Sequence, residues 1–258
     1  MTFKSVSVRR LGATAVIVID NPPVNALHTE VADEILAAVG DIRSDPQIRS
    51  LVLTGTGKFF VAGGDIKSFR TLDRVSAEQY ALGIQRMQAA LQELPIPVIA
   101  AVNGVALGGG CELIMSCDIR IADEQAILGQ PEVRLGVIPG AGGMQMLPRL
   151  VPIGIAKRLL FTGDRVSAQE ALAIGLVDEV VEHDKTLEAA TALAARINAN
   201  APQAVANAKR CVNRGLQMAL SEALKLDAFL FGSLFESADV KEGVSAFIEK
   251  RAPHFTGR

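Results

Sequence analysis

Short apolar, β-branched runs alternate with stretches of helical period between residues 15 and 121, and this alternation restricts the chain to an α/β architecture. Residues 15–19, 51–53, 98–102 and 119–121 read as short buried strands. Between them, Val31, Ile35, Val39 and Ile42 fall on one helical face, as do Tyr80, Ile84, Met87, Leu91 and Leu94. Ser76, with Gln79 three residues on, predicts a capping box at the start of the second helix; Ser167 with Glu170 predicts another. From about Lys185 the strand signal stops. Leu187, Ala190, Ala194 and Ile197 share a face, and the remainder reads as successive helices. The composition thus divides the chain into an α/β core at residues 1–200 and a helical C-terminal region at 201–258.

Bulk properties narrow the function. Hydrophobic residues make up 49% of the 258, enough for a sizeable core, and the net charge is −2 with Lys and Arg scattered. A nucleic-acid partner, which usually needs a basic face, is not expected. Cys111, Cys117 and Cys211 form no CxxC pair and read as reduced thiols; His28, His183 and His254 follow no metal-ligand spacing, so no metal is expected. The N-terminal stretch lacks the apolar run of a signal peptide. The longest uncharged run, at 94–111, is broken by Pro95, Pro97 and several glycines, unlike a membrane span. A cytoplasmic location is the expectation.

Two glycine clusters stand out. One is Phe60-Val61-Ala62-Gly63-Gly64-Asp65-Ile66-Lys67; the other runs from Asn103 through Gly108-Gly109-Gly110 to Cys111-Glu112. Each follows a strand and is expected to enter a helix. Without a β-carbon the backbone approaches a ligand closely, and first-turn N–H groups lack intrahelical partners. Two such groups converging on one oxygen would form an oxyanion hole. Glycines in these places also serve as turns and close-packing points, and the spacing alone leaves both readings open. Neither is a nucleotide motif: Gly55-Thr56-Gly57-Lys58 only hints at a P-loop, because Phe59 stands where Ser or Thr is required.

Two acids adjoin these segments. Glu132 lies in Gly129-Gln130-Pro131-Glu132, ahead of the turn Pro139-Gly140-Ala141-Gly142-Gly143. By composition a glutamate belongs in solvent. Glu112 fits that role poorly, since it follows three glycines and precedes Leu113-Ile114-Met115. A buried carboxylate needs a partner and often has a catalytic task.

These segments, with Asn21-Pro22-Pro23-Val24-Asn25-Ala26-Leu27 and the tail Ser245-Ala246-Phe247-Ile248-Glu249-Lys250-Arg251, closely resemble the enoyl-CoA hydratase/isomerase (crotonase) family over nearly the whole chain. The resemblance implies a spiral of ββα repeats with a helical C-terminal trimerisation region, giving a homotrimer or a dimer of trimers. It implies an oxyanion hole from the N–H groups of Gly64 and Gly109, and water activation by Glu112 and Glu132. It places coenzyme A along Ala62, Gly64, Asp65, Ile66 and Lys67, its adenine end near Pro23 and Val24, with Lys250 of the same or a neighbouring subunit meeting its phosphates. No separate cofactor is implied, since coenzyme A arrives as part of the acyl-CoA substrate. Met144 and Met146 depart from the family's Thr and Arg after Gly-Gly, Pro22-Pro23 stands where some hydratases carry a basic residue, and Gly64 replaces a frequent alanine.

Hydration of a 2-enoyl-CoA is the expected reaction. The enzymatic rival is a Δ3,Δ2-enoyl-CoA isomerase, many of which keep only the glutamate equivalent to Glu132, or another acyl-CoA-processing crotonase. A non-enzymatic rival is an acyl-CoA-binding scaffold. The acyl pocket is expected along residues 68–80, with Phe69 and Leu72 as candidate wall residues.

Overall fold

The computed structural model describes residues 3–258. The chain begins with an antiparallel hairpin, β1 (Val6–Leu11) and β2 (Thr14–Ile19), followed by α1 (Thr29–Ser44). Three ββα turns then follow: β3 (Ser50–Gly55), β4 (Phe59–Ala62) and α2 (Arg74–Gln92); β5 (Val98–Val102), β6 (Val105–Leu107) and α3 (Gly109–Met115); β7 (Ile119–Asp123), β8 (Ile127–Gly129) and α4 (Gly143–Leu150). Each turn gives its first strand to one sheet and its second to another. The six-stranded sheet runs β1-β2-β3-β5-β7-β10, where β10 is Glu179–Val181, and the four-stranded sheet runs β4-β6-β8-β9, where β9 is Arg165–Ser167. From β2 to β10 the large sheet is parallel, with Leu51 opposite Val98 and Ile99 opposite Ile119. This is the expected spiral of ββα repeats.

The central strands are apolar on both faces because both faces are covered. One face belongs to the main core, with Ile17, Leu53 and Ala100 against the apolar sides of α1 and α2. The other face, with Val16, Val52, Ile99 and Ile121, packs on Ala190 and Ala194 of α7 (Thr186–Asn198). Further helices are α5 (Ile153–Thr162), α6 (Ala168–Ile174), α8 (Pro202–Gly215), α9 (Leu220–Leu234) and α10 (Ala238–Glu249). Among the described residues no helix is long and apolar enough to cross a membrane.

Two local expectations need correction. The box at α2 is made by Asp73 and Ser76, not by Ser76 and Gln79: Asp73 accepts from the Ser76 amide at 2.8 Å, and Ser76 Oγ accepts from the Asp73 amide at 2.9 Å. Asp73 is a charged N-cap acceptor one turn earlier, and Arg74 and Val75 tolerate the helix, so it starts there. The box at Ser167 and Glu170 is present. The first glycine cluster also does not enter a helix directly; a 3-10 turn at Ser68–Thr71 intervenes.

Candidate active site

The second glycine cluster is shaped by contacts that exclude side chains. Gly108 links β6 to α3 with φ 50° and ψ −122°, and a methyl group added there would sit 2.7 Å from Glu132 Oε1. At Gly110 the same methyl would collide with the Val61 carbonyl. The two glycine clusters meet: a β-carbon on Gly109 would lie 3.8 Å from the Gly64 nitrogen and 3.4 Å from Leu27 Cδ2. Gly109 opens α3, so its N–H has no intrahelical partner. Gly64 lies outside any helix or ladder, and neither amide donates to a protein acceptor among the described residues.

Glu112, on α3, is 3% exposed. Its Oε1 accepts from the amides of Ala141 and Gly143, both at 2.8 Å, so the glycine-rich turn at 139–143 wraps this carboxylate. Burial pushes the Glu112 carboxyl up, and the two amides pull it back. Glu132 starts a 3-10 turn (Glu132–Leu135) beside Gly108. Burial, with a smaller contribution from the charge of Glu112, lifts Glu132 to about 7. The structure thus brings together Gly64, Gly109 and Glu132, with Glu112 near enough for its charge to be felt by Glu132.

The segments assigned to coenzyme A are partly joined. The Ala62 amide donates to the Val24 carbonyl at 3.1 Å, and the Leu27 amide to Gly63 at 2.8 Å. Pro23, Ile66 and Lys67 are exposed beside them, and Asp65 accepts from the Lys67 amide at 3.1 Å. Lys250 stands apart: it ends α10 with φ 56°, and among the described residues no hydrogen bond or ion pair ties it to either segment. A cleft of about 860 Å³ is lined by Asp65, Ser68, Leu72, Tyr80 and Gly83 among others; neither glutamate lines it. Leu72 is on its wall, whereas Phe69 packs edge-on against Tyr80 with ring centres 5.4 Å apart. Met144 and Met146 are partly buried and pack against the core.

Three residues escaped the sequence reading. Gln130 is 1% exposed, and with its amide turned to satisfy its neighbours it donates to both Glu132 oxygens at 3.1 Å. Buried Asn25 accepts from the Asn21 amide and donates to the carbonyls of Thr56 and Phe59, fixing the 21–27 loop. The Tyr80 hydroxyl donates to the Leu27 carbonyl at 2.8 Å. The bonds of Asn25 to Thr56 and Phe59 and of Tyr80 to Leu27 join distant segments and leave no local pattern, whereas an uncharged Gln two residues from a buried Glu is a visible sign of pairing. A separate hydrogen-bonded cluster joins buried Asp123 to exposed His183 and Asp184: Asp123 accepts from the Asp184 amide and lies 3.0 Å from His183 Nδ1.

Comparison with known proteins agrees with this geometry. Residues 10–258 match the family model described as enoyl-CoA hydratase/isomerase. The chain is 44% identical over 253 residues to the short-chain-enoyl-CoA hydratase of Clostridium acetobutylicum, covering 97% of each. It is 42% identical over 260 residues to the crotonyl-CoA hydratase of Syntrophomonas wolfei, covering 100% of both. The crystal structure of an enoyl-CoA hydratase from Bacillus anthracis matches with a TM-score of 0.95 and 38% identity over 99% of this chain and 100% of that one. With identity at this level along its full length, and the paired glycines and glutamates in one site, the chain belongs to the enoyl-CoA hydratase/isomerase family.

Proposed function

We propose that the chain is an enoyl-CoA hydratase, a hydro-lyase that adds water across C2–C3 of a 2-enoyl-CoA to give a 3-hydroxyacyl-CoA. The observation that carries this reading is the pair of shielded carboxyls beside two unpartnered amides. The Gly64 and Gly109 N–H groups polarise the thioester carbonyl and make C3 electrophilic. Water bonds to C3 through its oxygen and gives its proton to one carboxylate. The electron pair of the double bond moves to the thioester oxygen as an enolate, which collapses as the second carboxyl delivers its proton to C2. One base and one acid are required, so the working pair shares a single proton. Two backbone amides hold the charged form of Glu112, making it the base; burial lifts the Glu132 carboxyl to about 7, so it holds the proton as the acid, and the Gln130 amide steadies the carboxylate left once that proton goes to C2.

Coenzyme A comes with the substrate and no further cofactor enters the reaction. Its chain follows the Ala62, Asp65, Ile66 and Lys67 segment with its adenine end near Pro23 and Val24, and Lys250 of the same or a neighbouring subunit meets its phosphates. Isomerisation of a 3-enoyl-CoA uses the same oxyanion hole but needs only one carboxyl, and the backbone cradle around Glu112 favours hydration. The test is crotonyl-CoA hydration by Glu112→Gln and Glu132→Gln. Each is expected to fold and to lose roughly 10²–10⁴-fold in turnover, the usual acid–base contribution. Near-normal turnover in either variant removes that glutamate from the mechanism, and isomerase activity surviving in Glu112→Gln at the wild-type rate supports the rival.

A further inference from the structure

We propose that Tyr80 is a positioning residue of the oxyanion hole, and that residue 64 is glycine because the Tyr80 hydroxyl occupies the space of its side chain. This rests on the reading of Gly64 as a thioester donor.

The geometry is specific. Gly64 has no left-handed φ, so its backbone would accept alanine. Space is what forbids it: a β-carbon there would lie 2.5 Å from Tyr80 Oη, with Phe69 Cζ next at 3.5 Å. The hydroxyl is held in that place by two constraints. It donates to the Leu27 carbonyl at 2.8 Å, and its ring packs edge-on against Phe69 at an interplanar angle of 77°. Leu27 in turn touches both donors. It bridges in parallel to Gly64, its amide donates to Gly63 at 2.8 Å, and its Cδ2 lies 3.4 Å from where a β-carbon of Gly109 would be. One hydroxyl on α2 therefore fixes the end of the 21–27 loop, against which both amides are set. Burial pushes the phenol up to about 12, so it stays a neutral donor at working pH. Its proton is committed to Leu27, so it takes no part in proton transfer.

Two consequences follow. Removing the hydroxyl leaves the Leu27 carbonyl without this donor and opens a gap beside Gly64. Adding a methyl at Gly64 while the hydroxyl remains pushes one of the two aside and shifts the Gly64 N–H. Doing both exchanges one filled volume for another, an oxygen on the ring for a carbon on the backbone.

The experiment compares Tyr80→Phe, Gly64→Ala and the double variant with the wild type. Hydration of crotonyl-CoA gives kcat and KM. A second reading, independent of turnover, is the ultraviolet absorbance of bound acetoacetyl-CoA as its enolate, whose charge sits on the oxygens that the hole contacts. Tyr80→Phe should lower kcat by about threefold to tenfold with KM little changed, the scale of one hydrogen bond. Gly64→Ala alone should lower kcat by about 10- to 100-fold, the scale of a misplaced reacting group, and reduce the enolate fraction. The double variant should recover to within about threefold of Tyr80→Phe in kcat, in enolate fraction and in melting temperature, the non-additivity expected of touching groups. Full activity in Gly64→Ala, or a double variant as poor as the product of the singles, overturns the proposal. So does a Tyr80→Phe effect confined to KM, which would make Tyr80 a pocket wall. If no protein of the set hydrates crotonyl-CoA, the hydratase reading fails, while the enolate and melting measurements still decide the pairing of Tyr80 with Gly64.

Discussion

At the residue scale, the proposed mechanism rests on a glutamate that burial lifts to about 7. Glu132 is raised from 4.5 to about 7 chiefly by burial, so above that pH the pair of glutamates loses its shared proton. The kcat/KM for hydration is therefore expected to fall as pH rises past about 7, and again in acid once Glu112 is also protonated. A profile flat from pH 6 to 9 would show that the shared proton is not limiting. Stability follows the same shift. A carboxyl whose folded pKa is raised binds its proton more tightly when folded, so wild-type stability is lost as pH rises from 4.5 to about 7. Glu132→Gln lacks this penalty; its melting temperature should exceed the wild type's above pH 7, and the gap should close at pH 4.5. At Gly109, proline deletes the N–H at the first position of α3, where helices accept proline. Gly109→Pro should keep its circular dichroism and coenzyme A affinity and lose roughly 10²–10³-fold in kcat, as for one oxyanion donor. A folded variant with ordinary kcat would leave Gly109 as a turn residue only. These glycines and glutamates were named from motif segments, each contiguous in sequence. Gln130 stood inside one of those segments without a role, and Tyr80 lay outside all of them, because what matters about it is a bond to a carbonyl 53 residues away.

At the element scale, legibility followed length together with burial: β1 has six residues, but all except Val6 are exposed and no apolar run marks it. Five-residue strands such as β5 carry enough apolar residues to be read, and α1 shows its buried face at Val31, Ile35, Val39 and Ile42. The three-residue strands β6, β8, β9 and β10 are too short for any period, yet β6 and β8 lead into the segments that carry Gly109 and Glu132. Helix ends depended on which of two neighbouring caps won, as at Asp73 and Ser76. The attachment of α8 was also hidden. Lys209 projects from α8 into the core edge, where Nζ meets Asp118 Oδ2 at 2.8 Å and the carbonyls of Leu91 and Ile96 at 3.1 and 3.0 Å. The Lys209 side chain is only 8% exposed, and Asp118 also accepts from the Val98 amide at 2.7 Å. Lys209→Met keeps the apolar stem but strands the carboxylate and two carbonyls. It should cost about 3 kcal/mol, the low end for breaking a buried pair because Asp118 retains some solvent. The measurement is the urea midpoint at constant m; a loss below about 0.5 kcal/mol, the surface range, would mean that the pair does not anchor α8.

At the scale of the whole molecule, the helical region has more apolar surface than one copy of the chain covers. Leu230 is buried and Leu234 partly so, but Phe229 and Phe231 on α9 and Phe235 just after it are 57–70% exposed. Phe247 and Ile248 at the end of α10 are 86% and 73% exposed, and Phe161 and Ile153 on α5 are 70% and 63% exposed. Single exposed apolar residues are ordinary, but neighbouring exposed rings such as Phe231 and Phe235, with centres 5.1 Å apart, are the kind of patch that marks an interface. We therefore expect three copies, or six as paired trimers, to close around these helices. The expected light-scattering mass at micromolar concentration is three or six times the 27.3 kDa of one chain. Phe231→Asp buries a charge if Phe231 lies in the interface, and should split the assembly, whereas the same change on a free surface should alter stability by less than about 0.5 kcal/mol. The assembly also bears on chemistry. Lys250 follows α10 and makes no bond to the coenzyme A segments of its own chain among the described residues. If it serves the site of a neighbour, the dissociated Phe231→Asp protein should bind coenzyme A more weakly, and Lys250→Ala should weaken the intact assembly by a similar factor. A wild-type chain that scatters as a monomer would sink both expectations.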